Sequence, residues 1–182
     1  MKRKLFGPIA LVLFGGAVAA ADLKSGPQTG EKVPGPFHPL NVNGEDAGKK
    51  ACLYCKNGDN PVAAVFARSA DDANLQKLIA ALDAATDQNQ KAEMGSFVVY
   101  LSADDKLEGQ LKEQVEKAKY KQIVLAIDEP IGPAKYNLAR DADVTVLLYK
   151  DRVVTANHAF AKGKLTATDV EAIVAEVAKL VK

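Results

Sequence analysis

The chain has 182 residues, with 24 basic against 23 acidic side chains, 48% hydrophobic residues, two cysteines and two histidines. So nearly neutral a chain, with no basic stripe, offers no electrostatic footprint for nucleic acid. Two cysteines are too few for a disulfide-dependent scaffold, so the fold must rest on apolar burial, for which this length suffices.

Residues 1–21 read as an export signal. Lys2, Arg3 and Lys4 form a charged start, Leu5 to Phe14 is mostly apolar, and Ala17-Val18-Ala19-Ala20-Ala21 offers small residues for cleavage. The apolar stretch is interrupted by Pro8, Gly15 and Gly16, and it is too short for a comfortable membrane span. The reading implies an exported chain, periplasmic or extracellular, with no stable membrane span once the signal is removed. Losing those three basic residues would bring the net charge to −2.

Residues 22–60 form an N-terminal extension rich in Gly, Pro, Asn and Lys. Asp22 to Glu31 is expected to be a leader and the remainder to pack on the domain. Phe37 to Val42 suits a short edge strand, turned by Asn43-Gly44. The only two cysteines follow, Cys52 and Cys55 in Lys49-Lys50-Ala51-Cys52-Leu53-Tyr54-Cys55-Lys56.

Residues 61–182 carry regular patterning. Val62 to Ala67 is a continuous apolar run, as expected of a strand buried on both faces. Ser69 with Asp72 forms a capping signature for a helix whose stripe is Leu75, Leu78, Ile79 and Leu82. Phe97 to Leu101 predicts a second buried strand. Ser102 then suits the cap of a helix with Leu107, Leu111 and Val115 inward. Ile123 to Ile127 predicts a third strand, and Gly132 to Ala139 a short helix or turn. Val144 to Tyr149 and Val153 to Phe160, joined through Lys150-Asp151-Arg152, predict an antiparallel hairpin. Gly163 closes it, and Thr168 with Glu171 reads as the capping box of a last helix striped by Val170, Ile173, Val174, Val177, Leu180 and Val181.

The order is β-α-β-α-β followed by β-β-α. Crossover helices impose parallel pairing and the hairpin adds antiparallel strands, giving an α/β mixed sheet with helices on both faces. In this order, and in the stretches Asn60 to Ala67, Ile123 to Asp128, Tyr136, Val144 to Tyr149 and Val153 to Phe160, the chain resembles the thioredoxin-like superfamily. Within it the chain resembles the redoxins with an N-terminal extension, such as peroxiredoxins and exported thiol-disulfide oxidoreductases. The resemblance implies a three-layer sandwich.

It also implies an active site that this chain lacks. Redoxin cysteines follow the first core strand, at the start of the next helix; here that segment is Arg68-Ser69-Ala70-Asp71-Asp72. The family's cis-proline would fall at Asp143-Val144-Thr145, where no proline stands. Cys52 and Cys55 instead precede the strand. Six strand residues span roughly 20 Å, so the pair is expected on the opposite rim of the sheet.

Three readings of the pair remain open. It is a redox couple, with Lys49, Lys50 and Lys56 favouring thiolate, Leu53 and Tyr54 as an apolar contact surface for a protein thiol or disulfide partner, Cys52 attacking and Cys55 resolving. It is a static disulfide closing a very small loop, in a non-catalytic binding or scaffold domain. Or it is half of a metal site completed by His38 or His158, although there is no second Cys-x-x-Cys. A disulfide ranks above metal. Both histidines read as structural, and Asp71-Asp72 and Asp104-Asp105 as helix-start carboxylates. No phosphate loop or nucleophile elbow is present, so no cofactor is expected.

Overall fold

The computed structural model describes residues 23–182; the expected export signal lies outside the described residues. Six strands form one sheet in the order β1-β4-β3-β2-β5-β6, comprising β1 (Leu40–Asn41), β2 (Val62–Ala67), β3 (Gly95–Leu101), β4 (Val124–Asp128), β5 (Val144–Lys150) and β6 (Val153–Phe160). β2, β3 and β4 run parallel, and β5, β6 and β1 pair antiparallel to their neighbours.

Period-two alternation divides the core into two layers. Ala63, Val65, Val98, Tyr100, Val146 and Leu148 face one side. Val62, Ala64, Phe66, Phe97, Val99, Leu147 and Tyr149 face the other. The first face is covered by α2 (Ala73–Gln88), α3 (Leu107–Ala118) and α4 (Ala167–Leu180). Successive right-handed crossovers β2-α2-β3-α3-β4 step in one direction, which puts both crossover helices on the same side. Among the described residues, the second face carries only one short helix, α1 (Leu53–Asn57); extended chain covers the rest.

That extended chain is the N-terminal extension. Lys32 bridges Val153 on the free edge of β6, while Leu40 and Asn41 pair with Ile127 and Ala126 on the free edge of β4. The chain between them therefore crosses the whole second face, roughly 25–30 Å, which eight residues cover only when almost fully extended. Pro34, Pro36 and Pro39 favour that conformation. At mid-span Phe37, 7% exposed, packs its ring 5.9 Å from Phe66, 6.1 Å from Phe97 and 5.2 Å from Tyr136. One strap thus buries an apolar face and blunts both sheet edges.

The expected leader is part of the fold as well. Ser25 is buried, its hydroxyl 2.7 Å from Thr145 Oγ1 and accepting from the N–H of Ala139, while Asn157 Nδ2 donates to the carbonyls of Ser25 and Pro27. Helix starts also differ in detail. Asp72 is itself the cap of α2, accepting from the N–H groups of Asn74 and Leu75, and Ser69 turns away to donate to Asp143 Oδ1 at 2.8 Å. Asp104, rather than Ser102, accepts the Lys106 N–H ahead of α3. The capping box of α4 is Thr166 with Asp169, two residues before the expected pair. The hairpin turn is Asp151-Arg152, both at positive φ (53° and 60°), the geometry of a two-residue primed turn. Gly132 to Ala139 forms turns.

Candidate functional site: a disulfide on the uncommon rim

Cys52 and Cys55 are joined in a disulfide with a Cα–Cα distance of 5.2 Å. Cys52 is the N-cap of α1, and its Sγ accepts from the backbone N–H of Cys55 at 3.0 Å. With only five residues, α1 has little macrodipole, so that one N–H is the local electrostatic asset of the pair. Helical geometry sets the rest. Leu53 points into the second core layer at 1% exposure; Cys55, two residues on, lies about 200° around the helix and is exposed. Cys52 is half-buried.

Leu53 therefore belongs to the core rather than to a partner surface. Tyr54 is covered in turn by Arg152, whose guanidinium carbon lies 5.1 Å from the ring centroid. Of the three lysines expected to favour a thiolate, Lys56 is engaged with Glu45 at 3.0 Å and Asp46 at 3.7 Å; Lys49 and Lys50 are exposed.

Contacts at the end of α1 fix the rim. Asn57 Nδ2 donates to the Leu53 carbonyl, and Asn57 lies so close to Gly95, the first residue of β3, that a Cβ there would fall 1.8 Å from Asn57 Oδ1. Pro61 O accepts from Gly95 N, Asp59 O from Asp151 N, and Asp59 pairs with Arg152 at 2.9 Å. The segment is thus docked where β2 and β3 begin and where the β5–β6 hairpin turns.

The opposite rim, at the carboxyl ends of the parallel strands, carries no cysteine. Arg68, just past β2, donates through Nε to the carbonyl of Ala142, through one terminal nitrogen to Pro130 and through the other to Ala139. A guanidinium with five donors in a fixed fork suits this task. It clamps the connection from β4 to β5 where a thiol site would open. On the same rim, at the end of β4, Asp128 has its carboxyl held above its ordinary value, chiefly by burial, with the N–H of Glu129 opposing.

The histidines are elsewhere. His38 is exposed in a cleft with Asp128 and Glu129; His158 Nε2 lies 2.7 Å from Glu176 Oε2, linking β6 to α4. Among the described residues no three His, Cys, Asp or Glu side chains converge as a metal set. Asp71 and Asp105 are exposed at their helix starts.

Two residues that organise the molecule carried weaker signals. Arg68 is an isolated charge closing a buried run. Asp83, 9% exposed on the inward side of α2, accepts the N–H groups of Lys121, Gln122 and Ile123 and so anchors the start of β4. A carboxylate four residues after Ile79 on an apolar stripe was the available sign.

No family model and no curated protein matches the chain. Solved structures do match in shape. A proposed thiol:disulfide interchange protein, DsbE, from Chlorobium tepidum has a TM-score of 0.59 at 16% identity, covering 88% of this chain and 100% of that one. A proposed protein disulfide isomerase from Bacteroides thetaiotaomicron has a TM-score of 0.64 at 13% identity, covering 87% and 94%. Peroxidoxin BcpB from Mycobacterium tuberculosis has 0.59 at 14%, covering 84% and 97%. With element order, mixed sheet and these likenesses in agreement, the chain has the thioredoxin-like fold.

Proposed function

We propose that the chain is an exported thiol-disulfide exchange protein whose reactive pair, Cys52 and Cys55, has moved to the rim opposite the one redoxins use. The observation that carries this reading is the disulfide itself. One sulfur belongs to an exposed residue and the other holds a backbone N–H that would remain to stabilise a thiolate. The solved structures of similar shape include proteins named for disulfide interchange and disulfide isomerisation, which supports the reading. The partner is a polypeptide presenting thiols or a disulfide.

A staple reading has one observation in its favour. The bond lies in a helix pinned by Leu53 and Asn57, so it could serve only to hold α1. Against this, a ring so small removes little freedom from the unfolded chain, about 2 kcal/mol by loop-closure entropy.

Equilibration in thiol-disulfide buffers, with alkylation of the reduced fraction, separates the two. The exchange reading expects a potential between about −120 and −270 mV and measurable turnover of a cysteine peptide. A potential below about −300 mV with no exchange overturns it. Amino-terminal sequencing of protein recovered outside the cytoplasm tests export; a retained Met1 refutes processing within residues 17–22.

A further inference from the structure

We infer that the sulfur engaging the partner is that of Cys55, with Cys52 as the leaving and resolving thiolate. This rests on the exchange reading above and inverts the order expected from sequence. Three observations converge on it.

The first is direction. Leu53 and Asn57 both turn inward, one into the core and the other onto Gly95, which fixes the rotation of α1. Cys55 lies between them in sequence and on the opposite side of the helix, exposed to an incoming thiolate. The second is enclosure. Cys52 enters the helix from Ala51, whose N–H donates to Pro39 O, so it is held against the strap and is only half-exposed. The third is the hydrogen bond. Cys55 N–H points at Cys52 Sγ, so negative charge is stabilised on Cys52. Exchange is fastest when the attacked sulfur is accessible and the departing one is the better thiolate. Both conditions select Cys55 for attack.

The step balances as follows. A partner thiolate attacks Cys55 Sγ, forming the partner–Cys55 disulfide and breaking the bond to Cys52, which leaves with the electron pair. A second partner thiolate then attacks the partner sulfur of that mixed disulfide. This forms the partner's own disulfide and frees the Cys55 thiolate. The partner dithiol loses two electrons and the pair gains them. In reverse, Cys55 attacks a partner disulfide and Cys52 resolves the adduct by attacking Cys55 Sγ.

The test uses the full oxidised chain, mixed with excess glutathione, quenched in acid at short times and mapped by mass spectrometry after cleavage at Tyr54. The expected result is a glutathione adduct on Cys55 over Cys52 by about ten to one. A companion measurement uses glutathione disulfide with reduced single variants at about pH 10, where both thiols are ionised and access decides; there Cys52→Ser forms its adduct about tenfold faster than Cys55→Ser. An even distribution, or one weighted to Cys52, overturns the assignment while leaving exchange standing. No adduct in the native chain, with ready reduction once it is unfolded in urea, overturns exchange itself and this assignment with it.

Discussion

At the scale of single residues, buried hydroxyls show how much a partner matters. Tyr136 and Tyr149 are both buried, and burial raises both phenols above their ordinary range. Tyr136 donates to Gly35 O at 2.8 Å and so ties the strap to the core, whereas Tyr149 Oη has no partner among the described residues. Tyr136→Phe should cost about 1 kcal/mol in urea unfolding, and Tyr149→Phe should be neutral or slightly stabilising. Asp128 gives a pH signature. Its folded pKa is raised, so it costs stability above the range in which the unfolded carboxyl ionises and nothing below it. Asp128→Asn, which keeps an acceptor for Glu129 N–H, should therefore stabilise the chain near neutrality. That gain should fade as the pH falls through the ordinary carboxylate range, as read from thermal midpoints against pH.

At the scale of elements, α1 and the β4–β5 connection are each held by few contacts. Gly95→Ala would push Asn57 off its carbonyl partner, and Asn57→Ala removes the same bond directly. Each should cost about 1 kcal/mol, and the double variant no more than Asn57→Ala alone, a non-additivity that a double-mutant cycle reads out. Arg68→Ala removes three charge-assisted bonds to the connection. It should cost about 2–3 kcal/mol and speed amide exchange across residues 130–142. Unchanged exchange there would show that the clamp is not what orders the connection. Local rules named α2, α3 and α4 but misplaced their caps, because several Ser, Thr and Asp residues compete within two or three positions and packing selects among them; α1 was not anticipated at all.

At the scale of the molecule, the second face decides cohesion. Val33, Phe37 and Leu53 share one apolar layer with Val62, Phe66 and Tyr149, so the strap and α1 complete a core that residues 61–182 leave open. A chain of residues 61–182 alone should lack a cooperative unfolding transition and bind a hydrophobic dye. A sharp transition from that piece would show that the three helices on the first face suffice. The same layout explains the position of the disulfide. The strap ends beside β4, the chain turns back through Lys50, and α1 then fills the remaining gap near the start of β3.

Local pattern made most of the fold legible: continuous apolar runs in β2 to β5, helical stripes at Leu75-Leu78-Ile79-Leu82 and Val170-Ile173-Val177, and a turn at Lys150-Asp151-Arg152. These signals are local, because a strand or helix displays its buried face along its own length. Strand order also placed Cys52 and Cys55 ahead of β2, and the contacts of Asn57, Asp59 and Pro61 agree with the rim that order implied. Only tertiary structure decided that Ser25 and Pro27 of the supposed leader are buried, that a proline-rich segment joins both sheet edges, that Arg68 closes the rim where redoxins react, and which cysteine faces outward. Each of those depends on residues tens of positions apart meeting across the sheet. Nothing in the pattern near Cys-Leu-Tyr-Cys records that Leu53 finds the core and so turns Cys55 to solvent.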